Sequence, residues 1–225
     1  MAGPHDGIPD TARHPNLSRW NFSDDSAGGL FIDMEIIKTI KSAIWRIRYG
    51  RASMPDRIKM LRPKFYHIGE NVRFRTDKFG TEPYLISIED NATIASDVKF
   101  ITHDGSCFNM ARYLGISQEK VDKVGSIVLK ENCFVGAYSI LMPNTSVGRN
   151  SVVAAGSVVT KHIPDNEVWG GNPARFIMTT DDYARRVLET SAKYPWIANK
   201  DAIPAEELIA LRQNFFFKKD DMAGL

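Results

Sequence analysis

LKENCF VGAYSI LMPNTS VGRNSV VAAGSV VTKHI, residues 129–163, repeats every six residues. Leu129, Val135, Leu141, Val147, Val153 and Val159 open successive hexads, and four residues after each stand Cys133, Ser139, Thr145, Ser151, Ser157 and Ile163, nearly all small. A strict period of six fits no α-helix, because about 3.6 residues per turn does not divide it, and a hairpin needs longer alternation. It fits a parallel β-solenoid of triangular cross-section. Each hexad makes one short strand and one corner, and three hexads close a coil, as from Leu129 to Val147. Stacked coils pair as parallel strands roughly 4.8 Å apart. The large first residue fills the interior, and the small fifth residue lets the chain turn. Burying each large aliphatic contributes roughly 1.5–3 kcal/mol before conformational entropy is subtracted.

The same pattern runs upstream. Ile68 with Val72 begins it, and Ile88 with Ala92 and Ile94 with Val98 carry it towards Phe100. Residues 68–163 therefore read as one solenoid, interrupted at 104–124 by an excursion too long for a corner. Long loops leaving a regular scaffold are usually functional. After Pro173 the repeat stops. Residues 181–193 read as a helix opened by Asp181 and Asp182, and 204–213 as another, with Pro204 early and Glu206-Glu207 in its first turn. Phe215-Phe216-Phe217 should pack on the body or on a partner, since an exposed aromatic triplet would be unusual.

At the other end, residues 1–33 are rich in Gly, Pro, Asp and Ser and read as a disordered tail. Over 34–49, Ile36, Ile37, Ile40, Ile44 and Ile47 recur at helical spacing between Lys38, Lys41, Arg46 and Arg48, which makes a basic amphipathic helix. Such a face fits an anionic membrane surface. It fits better a stripe that caps the solenoid or packs on a neighbouring subunit, the commoner use of such faces.

Composition narrows the function. The 225 residues carry a formal charge of +2, too mild for a nucleic-acid partner, and no aromatics interleave with Lys and Arg as a base-stacking platform would. The two cysteines, Cys107 in a loop and Cys133 at an inward position, give no reason for a disulfide, so a reducing cytoplasm is the simplest compartment. The N-terminus lacks the basic-then-apolar order of a secretory signal, and no apolar run approaches the roughly 18 residues of a membrane span.

Val153-Ala154-Ala155-Gly156-Ser157-Val158-Val159-Thr160-Lys161, then Ile163-Pro164 and Gly171-Asn172-Pro173-Ala174-Arg175, resembles the hexapeptide-repeat acyltransferases over residues 65–180. Gly80-Thr81-Glu82-Pro83-Tyr84-Leu85-Ile86 and Ile101-Thr102-His103-Asp104-Gly105 resemble most closely the sugar O-acetyltransferases of surface-polysaccharide biosynthesis. The resemblance implies an all-β solenoid, a left-handed parallel β-helix with N-terminal and C-terminal α-helical extensions. It implies acetyl-CoA as cosubstrate, no metal, and a homotrimer with active sites between subunits. His103 corresponds to the catalytic histidine of these enzymes, a base suited to take a hydroxyl proton near neutral pH. Ala137, Ala155, Thr160, Lys161 and Arg175 correspond to cofactor-binding positions. Backbone at the two alanines would meet the pantetheine amides, Thr160 and Lys161 would flank the pantetheine and phosphates, and Arg175 would meet a phosphate. A second basic residue expected three positions after Arg175 is Met178 here, and Arg185 or Arg186 is the candidate substitute. Glu82 and Asp104 are acceptor-binding candidates. Glu82 could instead orient His103, and Asp104 could instead be a turn residue before Gly105. The expected plan is a tail over 1–33, a helical segment over 34–64, the β-helix over 65–178 with its excursion at 104–124, and a helical extension over 179–225.

Three other activities compete. An N-acetyltransferase of an amino sugar or an antibiotic acetyltransferase would share the fold, but the Tyr-Pro-Phe-like stretch usual in antibiotic-modifying relatives does not follow His103. A γ-carbonic-anhydrase-like metal lyase needs three converging histidines, and His67 and His162 do not match that spacing with His103. A non-catalytic scaffold would leave the Gly171–Ala174 closing motif and His103 without a purpose. His5, His14, His67 and His162 read as surface residues.

Overall fold

The computed structural model describes residues 34–217. The expected tail over 1–33, with His5 and His14, lies outside the described residues. Each hexad becomes a strand of two or three residues followed by a corner. The first coil contributes β1 (His67–Ile68) and β2 (Arg73–Phe74), and the second β3 (Ile86–Ile88), β4 (Thr93–Ile94) and β5 (Lys99–Phe100). The third holds β6 (Ile127–Leu129), β7 (Phe134–Val135) and β8 (Ile140–Leu141), and the fourth β9 (Thr145–Val147), β10 (Val152–Val153) and β11 (Val158–Val159). Then come β12 (Glu167–Gly170) and β13 (Arg175–Thr179).

These strands stack into three faces, ordered β1-β3-β6-β9, β2-β4-β7-β10-β12-β13, and β5-β8-β11. Every pair is parallel except β12 with β13. The register matches the hexads: Leu129 pairs with Val147, Val135 with Val153, and Leu141 with Val159. All six side chains are buried, as are the small residues Cys133, Ser139, Thr145, Ser151 and Ser157. The parallel register continues past Ile163, where Val168 and Trp169 pair with Val152 and Val153. The chain then reverses through Gly171–Ala174, and β13 closes the second face antiparallel, a strand the hexad pattern does not announce.

The corners demand left-handed backbone. Asn71, Asn91, Asn132, Asn144, Asn150 and Asn166 all have φ between 55° and 62°. Asparagine tolerates this region best among non-glycine residues. Three of these corners also form a ladder, with Asn132 Nδ2 donating to Asn150 Oδ1 at 2.8 Å and Asn150 Nδ2 to Asn166 Oδ1 at 2.9 Å. At Gly136 the coils approach so closely that a Cβ would lie 2.5 Å from Ala155 N.

The N-terminal end of the core is filled by aromatics. The Phe79 ring centroid lies 4.9 Å from Phe65, 5.5 Å from Phe74 and 5.6 Å from Phe100. Leu61, at the end of α2 (Met54–Leu61), is buried. The amphipathic segment is helical, as α1 (Met34–Arg51), and its Ile40, Ile44 and Ile47 are exposed. The excursion contains α3 (Ser106–Tyr113), which the sequence reading leaves as loop. The C-terminal extension is helical as expected, with α4 (Thr180–Ala192) and α5 (Ala205–Phe216). Thr179 caps α4 by accepting the Asp182 N–H at 3.1 Å, and Asp181 and Asp182 occupy the first turn. Phe215 and Phe216 pack against Tyr194 and Trp196 on one side, yet all three phenylalanines of the triplet remain exposed.

Candidate active site

His103 stands three residues past β5, where the chain leaves the third face for the excursion. The neck of that excursion is zipped. His103 and Val124 form an antiparallel bridge, Asp104 N–H donates to Lys123 O at 2.8 Å, and Gly125 N–H to Thr102 O at 2.9 Å. Lys123 Nζ also pairs with the Asp104 carboxylate, which accepts the Ser106 N–H at 3.0 Å as well. These contacts, led by the lysine, hold Asp104 well below the usual carboxylate range. Both Asp104 oxygens are thus engaged in fastening the excursion.

Glu82 arrives from the preceding coil. Gly80, at φ 73°, lets the chain run so close that a Cβ there would meet Thr102 Oγ1 at 2.7 Å. Glu82 Oε2 accepts the Thr102 hydroxyl at 2.8 Å, and Oε1 accepts the Thr81 hydroxyl at 2.7 Å. Oε1 also lies 3.2 Å from His103 Nδ1. The Thr81 hydroxyl foremost, then Thr102 and His103, lower the Glu82 pKa against the opposing effect of burial. An ionised Glu82 only accepts, so Nδ1 of a neutral imidazole carries the proton and the lone pair is on Nε2. Nε2 is buried and has no hydrogen-bond partner among the described residues. Asp122 Oδ1 stands 4.0 Å from it, beyond hydrogen-bond range, and the Phe108 ring packs edge-on with its centroid 5.7 Å from that of the imidazole. The site can therefore take a proton at one fixed nitrogen backed by a carboxylate.

Of the remaining expected residues, Thr160 and Lys161 share an edge with His103. The register Phe100–Leu141–Val159, continued one step, aligns Ile101, Met142 and Thr160, which puts Lys161 level with Thr102, the residue before His103, two coils away. Ala137 and Ala155 lie one coil apart on another corner, where Gly156 N–H donates to Ala137 O at 2.8 Å. Arg175 opens β13. Lys161 and Arg175 are exposed and have no acidic partner among the described residues, and Lys161 Nζ sits 5.0 Å from the Trp169 ring centroid. Burial pushes the Cys133 thiol up to about 12, which removes it as a nucleophile. His162 Nδ1 lies 3.0 Å from Ser146 Oγ, and among the described residues no three His, Cys, Asp or Glu side chains converge as metal ligands. Sequence reasoning did not single out Thr81, Thr102 or Asp122. Counting one coil, about 20 residues, back from His103 would have found the first of these.

The profile of the bacterial transferase hexapeptide (six repeats) matches residues 126–161. Protein CapG of Staphylococcus aureus is 41% identical over 127 residues, covering 55% of this chain and 72% of CapG. The chain belongs to the hexapeptide-repeat acyltransferases. As in that family, its solenoid is a left-handed parallel β-helix. The galactoside O-acetyltransferase of Escherichia coli K12 is 31% identical over 116 residues, 52% of this chain and 55% of that protein. The chain thus spans only about half the length of that relative. A galactoside acetyltransferase solved with coenzyme A aligns at a TM-score of 0.48 and 20% identity, over 69% of this chain and 88% of that one.

Proposed function

We propose that this acyltransferase transfers an acetyl group from acetyl-CoA to a sugar hydroxyl, in a capsule, O-antigen or related glycan precursor. The observation that carries the reading is His103, held at Nδ1 by Glu82 with an unpartnered Nε2 at the neck of the excursion. The relatives named as galactoside O-acetyltransferases support a sugar acceptor.

A hydroxyl is a poor nucleophile until its proton is removed. His103 Nε2 takes that proton as the acceptor oxygen bonds to the thioester carbonyl carbon. The Glu82 carboxylate stabilises the imidazolium that forms. Backbone N–H groups steady the oxyanion of the tetrahedral intermediate. When the C–S bond breaks, the sulfur leaves as a thiolate and recovers the proton from Nε2, so His103 returns to its starting state. No covalent enzyme intermediate is needed. Lys161 and Arg175, exposed and without an acidic partner among the described residues, suit the CoA phosphates, and the small side chains of Ala137 and Ala155 allow the pantetheine to approach the backbone. Arg185 already pairs with Asp182, which leaves Arg186 the freer substitute for the base expected at Met178.

A homotrimer with sites between subunits is part of the same reading, as is a cytoplasmic location. On α1, the exposed Ile40, Ile44 and Ile47 beside Lys41 and Arg48 suit contact with an anionic membrane surface. Co-sedimentation of the full chain with anionic but not zwitterionic vesicles tests that contact. The catalytic reading is tested by incubating the protein with acetyl-CoA and a panel of methyl glycosides while following released thiol. Acceptor-dependent thiol release is expected, and its absence across the panel would remove the proposal.

A further inference from the structure

Asp122 has a position in the site that the transfer steps leave unused. It lies on the segment that returns from the excursion, with its side chain 67% exposed. Its Oδ1 accepts the Lys123 N–H at 2.8 Å and faces His103 Nε2 across 4.0 Å. Its other oxygen has no partner among the described residues. The neighbouring Lys123 does not neutralise it, because that ammonium is spent on Asp104. The segment is not loose either, since the bridge between His103 and Val124 and the Asp104–Lys123 contacts fasten it. A carboxylate with one oxygen unpartnered among the described residues is therefore held beside the atom that receives the acceptor's proton.

The gap restricts what can enter. Nε2 is covered and, among the described residues, unpartnered, so an acceptor hydroxyl bonded to it lies within a few ångströms of the Asp122 carboxylate, 4.0 Å from the same atom. That hydroxyl has one proton, which goes to Nε2. Its oxygen then has only lone pairs to turn towards the carboxylate, and the contact is repulsive. A neighbouring hydroxyl that donates to Asp122 removes the conflict. Gauche vicinal hydroxyls on a pyranose hold their oxygens roughly 2.8 Å apart, about one hydrogen-bond length. A chain from Nε2 through two such oxygens to a carboxylate oxygen bends readily into this gap. A lone alcohol leaves the carboxylate facing lone pairs.

We propose that Asp122 is an acceptor-binding residue that selects vicinal diols, its carboxylate accepting a hydrogen bond from the hydroxyl next to the one acetylated. The inference rests on the transferase reading above. It gives to Asp122 the role that the sequence suggested for Asp104, whose oxygens are engaged by Lys123 and Ser106.

The test uses the full chain, acetyl-CoA, the best methyl glycoside of the panel and its mono-deoxy analogues. Wild type should lose about 10–100-fold in kcat/KM when one hydroxyl beside the acetylated position is removed, the range for a hydrogen bond to a charged group. Asp122→Ala and Asp122→Asn should lose a similar factor on the parent sugar, mostly in KM. Asp122→Ala should then accept parent and deoxy sugar within about threefold of each other. Unchanged melting curves would establish that both variants fold. Variants that keep the wild-type preference for the parent sugar would overturn the inference alone, as would a loss confined to kcat. Absence of transfer by wild type to every glycoside would take down the transferase reading and this inference with it.

Discussion

Replacing Glu82 by Gln removes one negative charge and almost no volume from behind the imidazole. The amide oxygen can still accept from Thr81 and His103 Nδ1, and Thr102 can rotate its hydroxyl to accept from the amide nitrogen. Orientation survives and charge does not, so the substitution isolates electrostatics. At 3.2 Å, a carboxylate and a full imidazolium charge attract by about 1.3 kcal/mol in water-like screening and about 5 kcal/mol at an effective dielectric near 20. Side chains 13% and 28% exposed lie between those limits, and roughly 2–3 kcal/mol is the reasonable value. The imidazolium exists only once the proton has moved, so the loss falls on the transition state. We expect kcat to drop about 10²-fold while the acceptor KM stays within about threefold. Glu82→Ala should cost more, because it also leaves the buried Thr102 hydroxyl and Nδ1–H without an acceptor. Steady-state thiol release with the acceptor varied at saturating acetyl-CoA separates kcat from KM. A Glu82→Gln enzyme with kcat within about twofold of wild type would refute the imidazolium argument. A rise in KM alone would make Glu82 a binding group instead.

His103→Ala should lower kcat by roughly 10²–10⁴ while the melting curve and oligomeric state stay as in wild type; wild-type turnover by a folded variant would dismiss His103 as the base. Val147, 1% exposed between Leu129 and Ile163, should not tolerate Asp. The buried, unpaired carboxylate should cost more than about 3 kcal/mol, read as a large fall in melting temperature or loss of soluble protein, and an unchanged curve would contradict the register.

The hexads were legible because their information is local. Each Leu or Val at the first position and each small residue at the fifth fixes a strand and a corner with no knowledge of the rest of the chain. The period then sets the register, since Leu129, Val147 and their equivalents can share one interior line only when three hexads make a coil. The same local pattern marked the excursion as the place where it fails, and the motifs around it singled out His103. The helix α3 was not legible: Ser106–Tyr113 is too short for an apolar period to stand out. Nor was β13, whose antiparallel return depends on a reversal after Gly171 that the parallel repeat does not encode.

The chemistry around His103 depends on contacts between distant residues. Glu82 is 21 residues before the histidine, and only the length of the intervening coil brings its carboxylate to Nδ1. Asp104 and Asp122 look alike in sequence, two aspartates at the two ends of one loop. The return of the chain gives Lys123 to Asp104 and leaves Asp122 facing Nε2. The sequence by itself determined the solenoid and its register, because nearest-neighbour spacing and burial suffice for those, and its resemblance to known acyltransferases pointed to His103 as the candidate base. Which carboxylate backs the imidazole, which one fastens the loop and which one stays free were decided by the tertiary structure, because hydrogen-bond and ion-pair partners are chosen by distance in space.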